Sequence, residues 1–155
     1  MKKLILLLLI LTATAFTIPQ SYKTFCNKNK EAAQSVEYAT GVPASILFSQ
    51  AILESGAGRS NIAKETLNFF GLKCGDNWKG SRYFCNSGCY RSYSTIEESF
   101  LDYACFLNDN YSGAVSKNWQ HWAKYGTGYG ASSDYWQRVG NIIKLYDLDK
   151  YERKL

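Results

Sequence analysis

The stretch Pro43-Ala44-Ser45-Ile46-Leu47-Phe48-Ser49-Gln50-Ala51-Ile52-Leu53-Glu54-Ser55-Gly56-Ala57-Gly58-Arg59-Ser60 decides the fold. Pro43 suits the first residue of a helix, where its missing N–H costs nothing. The apolar run through Ile46, Leu47, Ala51 and Ile52 carries that helix to about Glu54, and Gly56 and Gly58 end it. Glu54 is the only charged side chain between Glu37 and Arg59. Leu47 and Ala51 share its face, so its carboxyl is expected at the edge of the core, at the negative end of the helix dipole. Desolvation and the dipole would both favour the protonated acid. That is the form that protonates a leaving oxygen in glycosidic-bond hydrolysis. The plainer reading is a helix-terminal glutamate pointing into water.

Outward from this helix the chain reads as mostly α. Ala32, Val36 and Ala39 predict a helix from Lys28 to Thr40 that Gly41 stops. A short helix is expected after Ser60. Ser94-Thr95-Ile96-Glu97 reads as a capping box opening a helix with Ile96, Phe100, Tyr103 and Leu107 on one face. Val115, Trp119 and Trp122 mark another, with both tryptophans expected in the core. Tyr135, Val139, Ile142 and Tyr146 mark the last, with Asp134 at its start. Residues Trp78 to Tyr93 change character and alternate around Asn86-Ser87-Gly88, which predicts a β-hairpin. The fold class is therefore mostly α (α+β), one helical domain with a small β-hairpin lobe.

Three of the five cysteines, Cys74, Cys85 and Cys89, surround that hairpin, while Cys26 and Cys105 stand apart. At least one disulfide is expected among the three, with Cys74 bridged to Cys85 or Cys89, since directly opposite hairpin positions bridge poorly. Zinc is the rival reading of Cys85-x-x-x-Cys89, but a second ligand pair at the usual spacing is missing and His121, the single histidine, is distant. No metal or cofactor is expected, and His121 reads as a surface residue.

Lys2 and Lys3, the apolar run Leu4 to Leu11 and then Ala13-Thr14-Ala15 read in order as a secretory signal peptide over residues 1–15. The run is too short for a permanent bilayer span, so no stable membrane span is expected after cleavage, and the destination reads as secreted or periplasmic. A domain over 26–152 follows. At 155 residues, 46% hydrophobic, the chain can bury an ordinary core. Its formal charge of +5 suits an anionic polymer. The basic residues form no run or stripe, which argues against nucleic acid.

Ile52 to Ser60, followed by Asn68-Phe69-Phe70-Gly71-Leu72-Lys73, resembles the glucosaminidase family 73 of glycoside hydrolases. The likeness continues through Tyr93-Ser94, Ser99, Asp102-Tyr103, Gly128-Tyr129 and Tyr135 to Tyr146-Asp147-Leu148. It implies a lysozyme-like fold with a glycan groove between a helical lobe and a hairpin lobe. It also implies hydrolysis of the β-1,4 bond on the reducing side of N-acetylglucosamine in peptidoglycan. Glu54 matches the family's general acid and Tyr129 the tyrosine expected near the reacting sugar. Asn68, Phe70, Tyr93, Tyr125 and Tyr135 are the expected substrate-binding residues.

One departure matters. Family members often carry a second acid in the hairpin lobe, and between Lys73 and Thr95 this chain has only Asp76. Asp76 is thus the candidate base, against the reading of a solvated loop aspartate. The substrate's acetamido group is the alternative. Asp102, beside Tyr103, reads as structural. The leading expectation is an endo-β-N-acetylglucosaminidase acting on peptidoglycan glycan strands. The rivals are an N-acetylmuramidase or lytic transglycosylase, and a non-catalytic wall-binding module of the same fold.

Overall fold

The computed structural model describes residues 20–111, 119–121 and 134–154. Its first helix, α1 (Gln20–Lys28), was not anticipated. Asn29 separates it from α2 (Lys30–Thr40) and caps its end by donating its side-chain amide to Phe25 O at 2.8 Å. The expected start at Lys28 is therefore the end of another helix. Gly41, in the left-handed region at φ 76°, stops α2 as expected.

Helix α3 (Ala44–Ser55) is the centre of the molecule, with every residue from Ala44 to Ile52 buried. Its polar Ser45, Ser49 and Gln50 are buried with partners, donating to Glu152 Oε1, Ile46 O and the Tyr135 hydroxyl. Pro43 is its N-cap rather than its first helical residue. Helix α4 (Asn61–Thr66) is capped by Ser60, whose Oγ accepts from Ala63 N.

Strands β1 (Ser81–Cys85) and β2 (Gly88–Ser92) form the expected hairpin, with Asn86-Ser87 as its turn and the register Tyr83↔Tyr90, Phe84↔Cys89 and Cys85↔Gly88. Cys74 and Cys89 form a disulfide with Cα atoms 5.5 Å apart. It takes Cys89 from the supposed zinc pair, and among the described residues no three His, Cys, Asp or Glu side chains converge on a metal site.

Helix α5 (Ile96–Asn110) has its capping box one residue later than expected: Thr95 accepts from Glu98 N, and Glu98 accepts from Thr95 N. Phe100, Tyr103 and Leu107 are buried along it as read. Helix α6 (Tyr135–Tyr146) follows Asp134 and buries Ile143 rather than Ile142, and a 3-10 turn (Leu148–Tyr151) ends the fold. Helices α2 and α5 pack together, and α6 and the 3-10 turn lie against α3. Trp119 is half-buried against the core, His121 is also half-buried, and Val115 and Trp122 fall outside the described residues.

Aromatic rings fill the space between these helices. Phe48 meets Phe100 edge-on at 6.0 Å, Phe69 meets Phe100 at 5.8 Å, and Phe70 stacks on Tyr103 at 3.8 Å. Such pairs add about 0.5–1.5 kcal/mol each beyond their buried area. Among the described residues no helix is long and apolar enough to cross a membrane.

Candidate active site

Glu54 occupies the last turn of α3 and is exposed, not tucked at the core edge as expected. In this last turn Ser55 stays buried while Glu54 faces outward. Leu53 is half-buried and Glu54 is the first side chain clear of the core.

The carboxyl is nevertheless held. Tyr135, at the start of α6 and only 6% exposed, donates its hydroxyl to Glu54 Oε1 at 2.8 Å. Gln50, one turn before Glu54 on α3, donates Nε2 to the same phenol oxygen at 3.3 Å. A phenol that accepts from an amide has its single proton left for the carboxylate. The order Gln50, Tyr135, Glu54 therefore has one direction. Helix α6 brings Tyr135 here because α3 and α6 pack side by side.

The exit turn explains the glutamate-serine-glycine-x-glycine pattern. Gly56, Ala57 and Gly58 all lie in the left-handed region, at φ 60°, 59° and 80°. Buried Ser55 donates Oγ to Ala51 O at 2.8 Å and accepts from Gly58 N at 3.0 Å. Ala57 N donates to Ala51 O at 3.0 Å, which holds a non-glycine residue in a conformation costing about 1 kcal/mol. A Cβ on Gly58 would come within 2.7 Å of Phe69 Cε1, so no side chain fits there.

Other expected site residues lie elsewhere. Asn68 is buried, and its amide is spent on the backbone: Nδ2 donates to Leu72 O at 2.8 Å and Arg91 O at 2.9 Å, and Oδ1 accepts from Leu72 N at 3.0 Å. It fastens β2 to the turn after α4. Phe70 is core, beneath Tyr103. Neither side chain is presented as a sugar contact, which corrects the expectation for both.

Tyr93 is half-buried and donates its hydroxyl to Asp102 Oδ2 at 2.6 Å. Burial, then the Asp102 carboxylate, pushes that phenol far above its ordinary value. Tyr93 lines an open groove of about 520 Å³ with Trp78, Leu101 and Asp102. Asp102, read as structural, also takes both Arg91 Nη1 contacts, at 2.9 and 2.7 Å. Asp76 is exposed on the turn at 75–77. Tyr125 and Tyr129 lie outside the described residues.

The structure thus brings Glu54 and Tyr135 together and adds Gln50, which the sequence reading missed. A lone amide one turn before the only charge of an apolar helix was its signal.

Residues 30–148 match the glucosaminidase family, described as mannosyl-glycoprotein endo-beta-N-acetylglucosaminidase. The chain belongs to this family. The glucosaminidase domain is 33% identical over 114 residues to peptidoglycan hydrolase FlgJ of Vibrio parahaemolyticus, covering 64% of this chain and 36% of that protein. It is 31% identical over 130 residues to exo-glucosaminidase LytG of Bacillus subtilis, covering 70% of this chain and 45% of that one. The chain spans less than half the length of each of these two curated relatives. Among solved structures, the glycoside hydrolase domain of Salmonella typhimurium FlgJ aligns with a TM-score of 0.67 at 26% identity, covering 81% of this chain and 88% of that one. The expected lysozyme-like helical fold with a small hairpin lobe is the fold of this glucosaminidase domain.

Proposed function

We propose that this glucosaminidase domain hydrolyses the β-1,4 bonds of peptidoglycan glycan strands as an endo-β-N-acetylglucosaminidase, with Glu54 as general acid. The observation that carries the reading is the Tyr135 hydroxyl on Glu54 Oε1 at 2.8 Å, at the point where a buried helix reaches solvent. With Oε1 held, Oε2 is the oxygen left to carry a proton to the glycosidic oxygen. A carboxyl so oriented supplies about 10²–10⁴ in rate. Tyr135 then supports the acid rather than the sugar. Names of the relatives, peptidoglycan hydrolase and exo-glucosaminidase, support the substrate.

Tyr129 is assigned beside the reacting sugar by its place in the glycine-tyrosine motif, with Tyr125 and Tyr93 as further sugar contacts. Asp76, on an exposed turn, is the weaker choice for activating water. Instead the 2-acetamido oxygen of the substrate attacks the anomeric carbon as the leaving oxygen takes the Glu54 proton, and water then opens the cyclic intermediate. Residues 1–15 are read as a signal peptide and 26–152 as the working domain. Secretion or periplasmic export brings the protein to its wall polymer, and nucleic acid has no part in this reading.

The test is digestion of purified peptidoglycan with fragments resolved by mass spectrometry. New reducing ends of N-acetylglucosamine support the reading. Muramic acid or anhydromuramic ends assign the other bond, single sugars released from chain ends indicate exo action, and no fragments at all indicate a binding module. Glu54→Gln must be inactive while folded.

A further inference from the structure

Helix α1 precedes residues 30–148, the part that matches the family. Yet its side chains reach both elements that hold the Glu54–Tyr135 pair. On one side, Arg59 folds back over the exit turn of α3. Its Nε donates to Gly56 O and its Nη2 to Tyr22 OH, each at 2.9 Å. The guanidinium also lies 4.9 Å from the centre of the Tyr22 ring. On the other side, the Tyr22 ring meets Tyr146, the last residue of α6, edge-on at 5.5 Å. Tyr135 is the first residue of that same helix.

One turn along α1, Phe25 completes the contact. It packs edge-on against Phe48 of α3 at 6.1 Å and against Phe69 at 5.4 Å. Phe69 is the ring that leaves Gly58 no room for a Cβ. The exit turn needs such support, because three successive left-handed residues, one of them Ala57, are not the conformation a free chain prefers.

We propose that α1 is a positioning strut for the catalytic acid, acting through Tyr22 and Arg59 to hold the α3 exit turn and the α6 helix in one alignment. This rests on the reading of Glu54 as the acid. Tyr22 and Arg59 are positioning residues: their contacts are with Gly56 O, with each other and with Tyr146. An error of even an ångström in a catalytic group is enough to lower turnover. The strut therefore acts on kcat, through the Tyr135–Glu54 hydrogen bond, and leaves KM in place.

The experiment uses the full chain and compares Tyr22→Phe, Arg59→Met and Arg59→Lys with the unmodified protein, measuring Tm, kcat and KM on soluble peptidoglycan fragments. Each change is repeated on a Tyr135→Phe background. Tyr22→Phe removes the acceptor hydroxyl and keeps the ring, so kcat falls about fivefold with KM within twofold, as for loss of one hydrogen bond. Arg59→Met falls about tenfold, and Arg59→Lys recovers part of that. On the Tyr135→Phe background both effects shrink to under twofold, because the hydrogen bond they act through is gone. A role limited to stability would lower Tm and leave these effects multiplicative. Unchanged kcat in Tyr22→Phe and Arg59→Met overturns the strut, as does a rise in KM alone or full effects without the Tyr135 hydroxyl. Glu54→Gln, run in parallel, separates the two ideas. If it is inactive while the strut variants are normal, only the strut fails; if it turns over normally, the assignment of the acid fails and the strut with it.

Discussion

The hydroxyl of Tyr135 reaches Oε1 of Glu54 at 2.8 Å across 81 positions of sequence. Because Gln50 donates to the same hydroxyl, the phenol cannot turn its proton inward without losing a bond. Tyr135→Phe keeps the ring in its place against Trp136 and removes only the donor. A hydrogen bond to a charged group contributes about 1.5–3 kcal/mol. The expected result is a fall in kcat of at least about tenfold with the fold intact by circular dichroism. Full activity in this variant would mean that the carboxyl needs no support from α6.

The second carboxylate system is structural. Asp102 accepts both contacts of Arg91 Nη1, the closer at 2.7 Å, and the Tyr93 hydroxyl at 2.6 Å. These groups are about three-quarters buried, with 21% and 25% of the Arg91 and Asp102 side chains exposed. They join β2 to α5, and Asp102→Asn leaves Arg91 without its counter-charge. A loss of about 2 kcal/mol is expected, lowering Tm by roughly 4–8 °C. Thermal unfolding followed by circular dichroism measures it, and an unchanged Tm would show that water replaces the carboxylate without cost.

Where local rules decide a feature, the sequence reading was close. Gly41, the Asn86-Ser87 turn and the buried stripe of α5 follow from φ preference and periodicity alone. The capping box slipped by one residue because Ser94 and Thr95 are both caps and Glu97 and Glu98 both glutamates. Only the backbone at Thr95, at φ −135°, decides between them. Asn68 and Phe70 were assigned to the sugar because a motif marks that a position matters, not how. The reasons here are a turn and a core stack. The Glu54–Tyr135 contact was out of reach, since it is made by the packing of α6 on α3 and not by spacing.

The three free thiols differ in reactivity for reasons visible around each. Burial pushes Cys26 up to about 12, with Lys150 opposing only partly. Partial burial, then the charges of Asp109 and Asp102, raises Cys105. Cys85 is lowered, chiefly by hydrogen bonds from Ser87 and further by the Lys73 ammonium. The thiolate is the nucleophile, so iodoacetamide at mildly alkaline pH should label Cys85 first, Cys105 more slowly, and Cys26 only after unfolding. Peptide mapping without reductant reads this order. Cys74 and Cys89 should stay unlabelled, and alkylation of either would mean that their disulfide is not formed.

Stability should fall as pH rises out of the acid range, owing to the C-terminal end. Burial raises the Glu152 carboxyl, against the hydrogen bond it accepts from Ser45, and the charges of Glu37 and Asp149 raise it further. Glu37 is raised too, again mainly by burial. A carboxyl with a higher pKa folded than unfolded binds more protons in the native state. Its contribution is complete below the usual glutamate range and is lost as pH climbs through the raised value. Glu152→Gln keeps an oxygen for Ser45 and removes the charge. Its Tm should exceed that of the unmodified protein by roughly 1–3 °C at pH 7, and the advantage should disappear near pH 4. A destabilised variant at pH 7 would show that the ionised carboxylate is what Ser45 needs.

The identity of the second catalytic group can be read from the product anomer. If Asp76 activates water, attack occurs once at the anomeric carbon and the configuration inverts; if the acetamido oxygen attacks first, two inversions restore it. Asp76 is exposed on the turn at 75–77, ahead of β1. Asp76→Asn should therefore keep turnover within about threefold, against the 10²–10⁴ that loss of a true general base costs. Proton NMR of fresh product from the unmodified protein should show the β anomer. If Tyr129 contacts the reacting sugar as proposed, Tyr129→Phe should lower kcat under either mechanism. An α product together with an inactive, folded Asp76→Asn would reverse the assignment and make Asp76 the base.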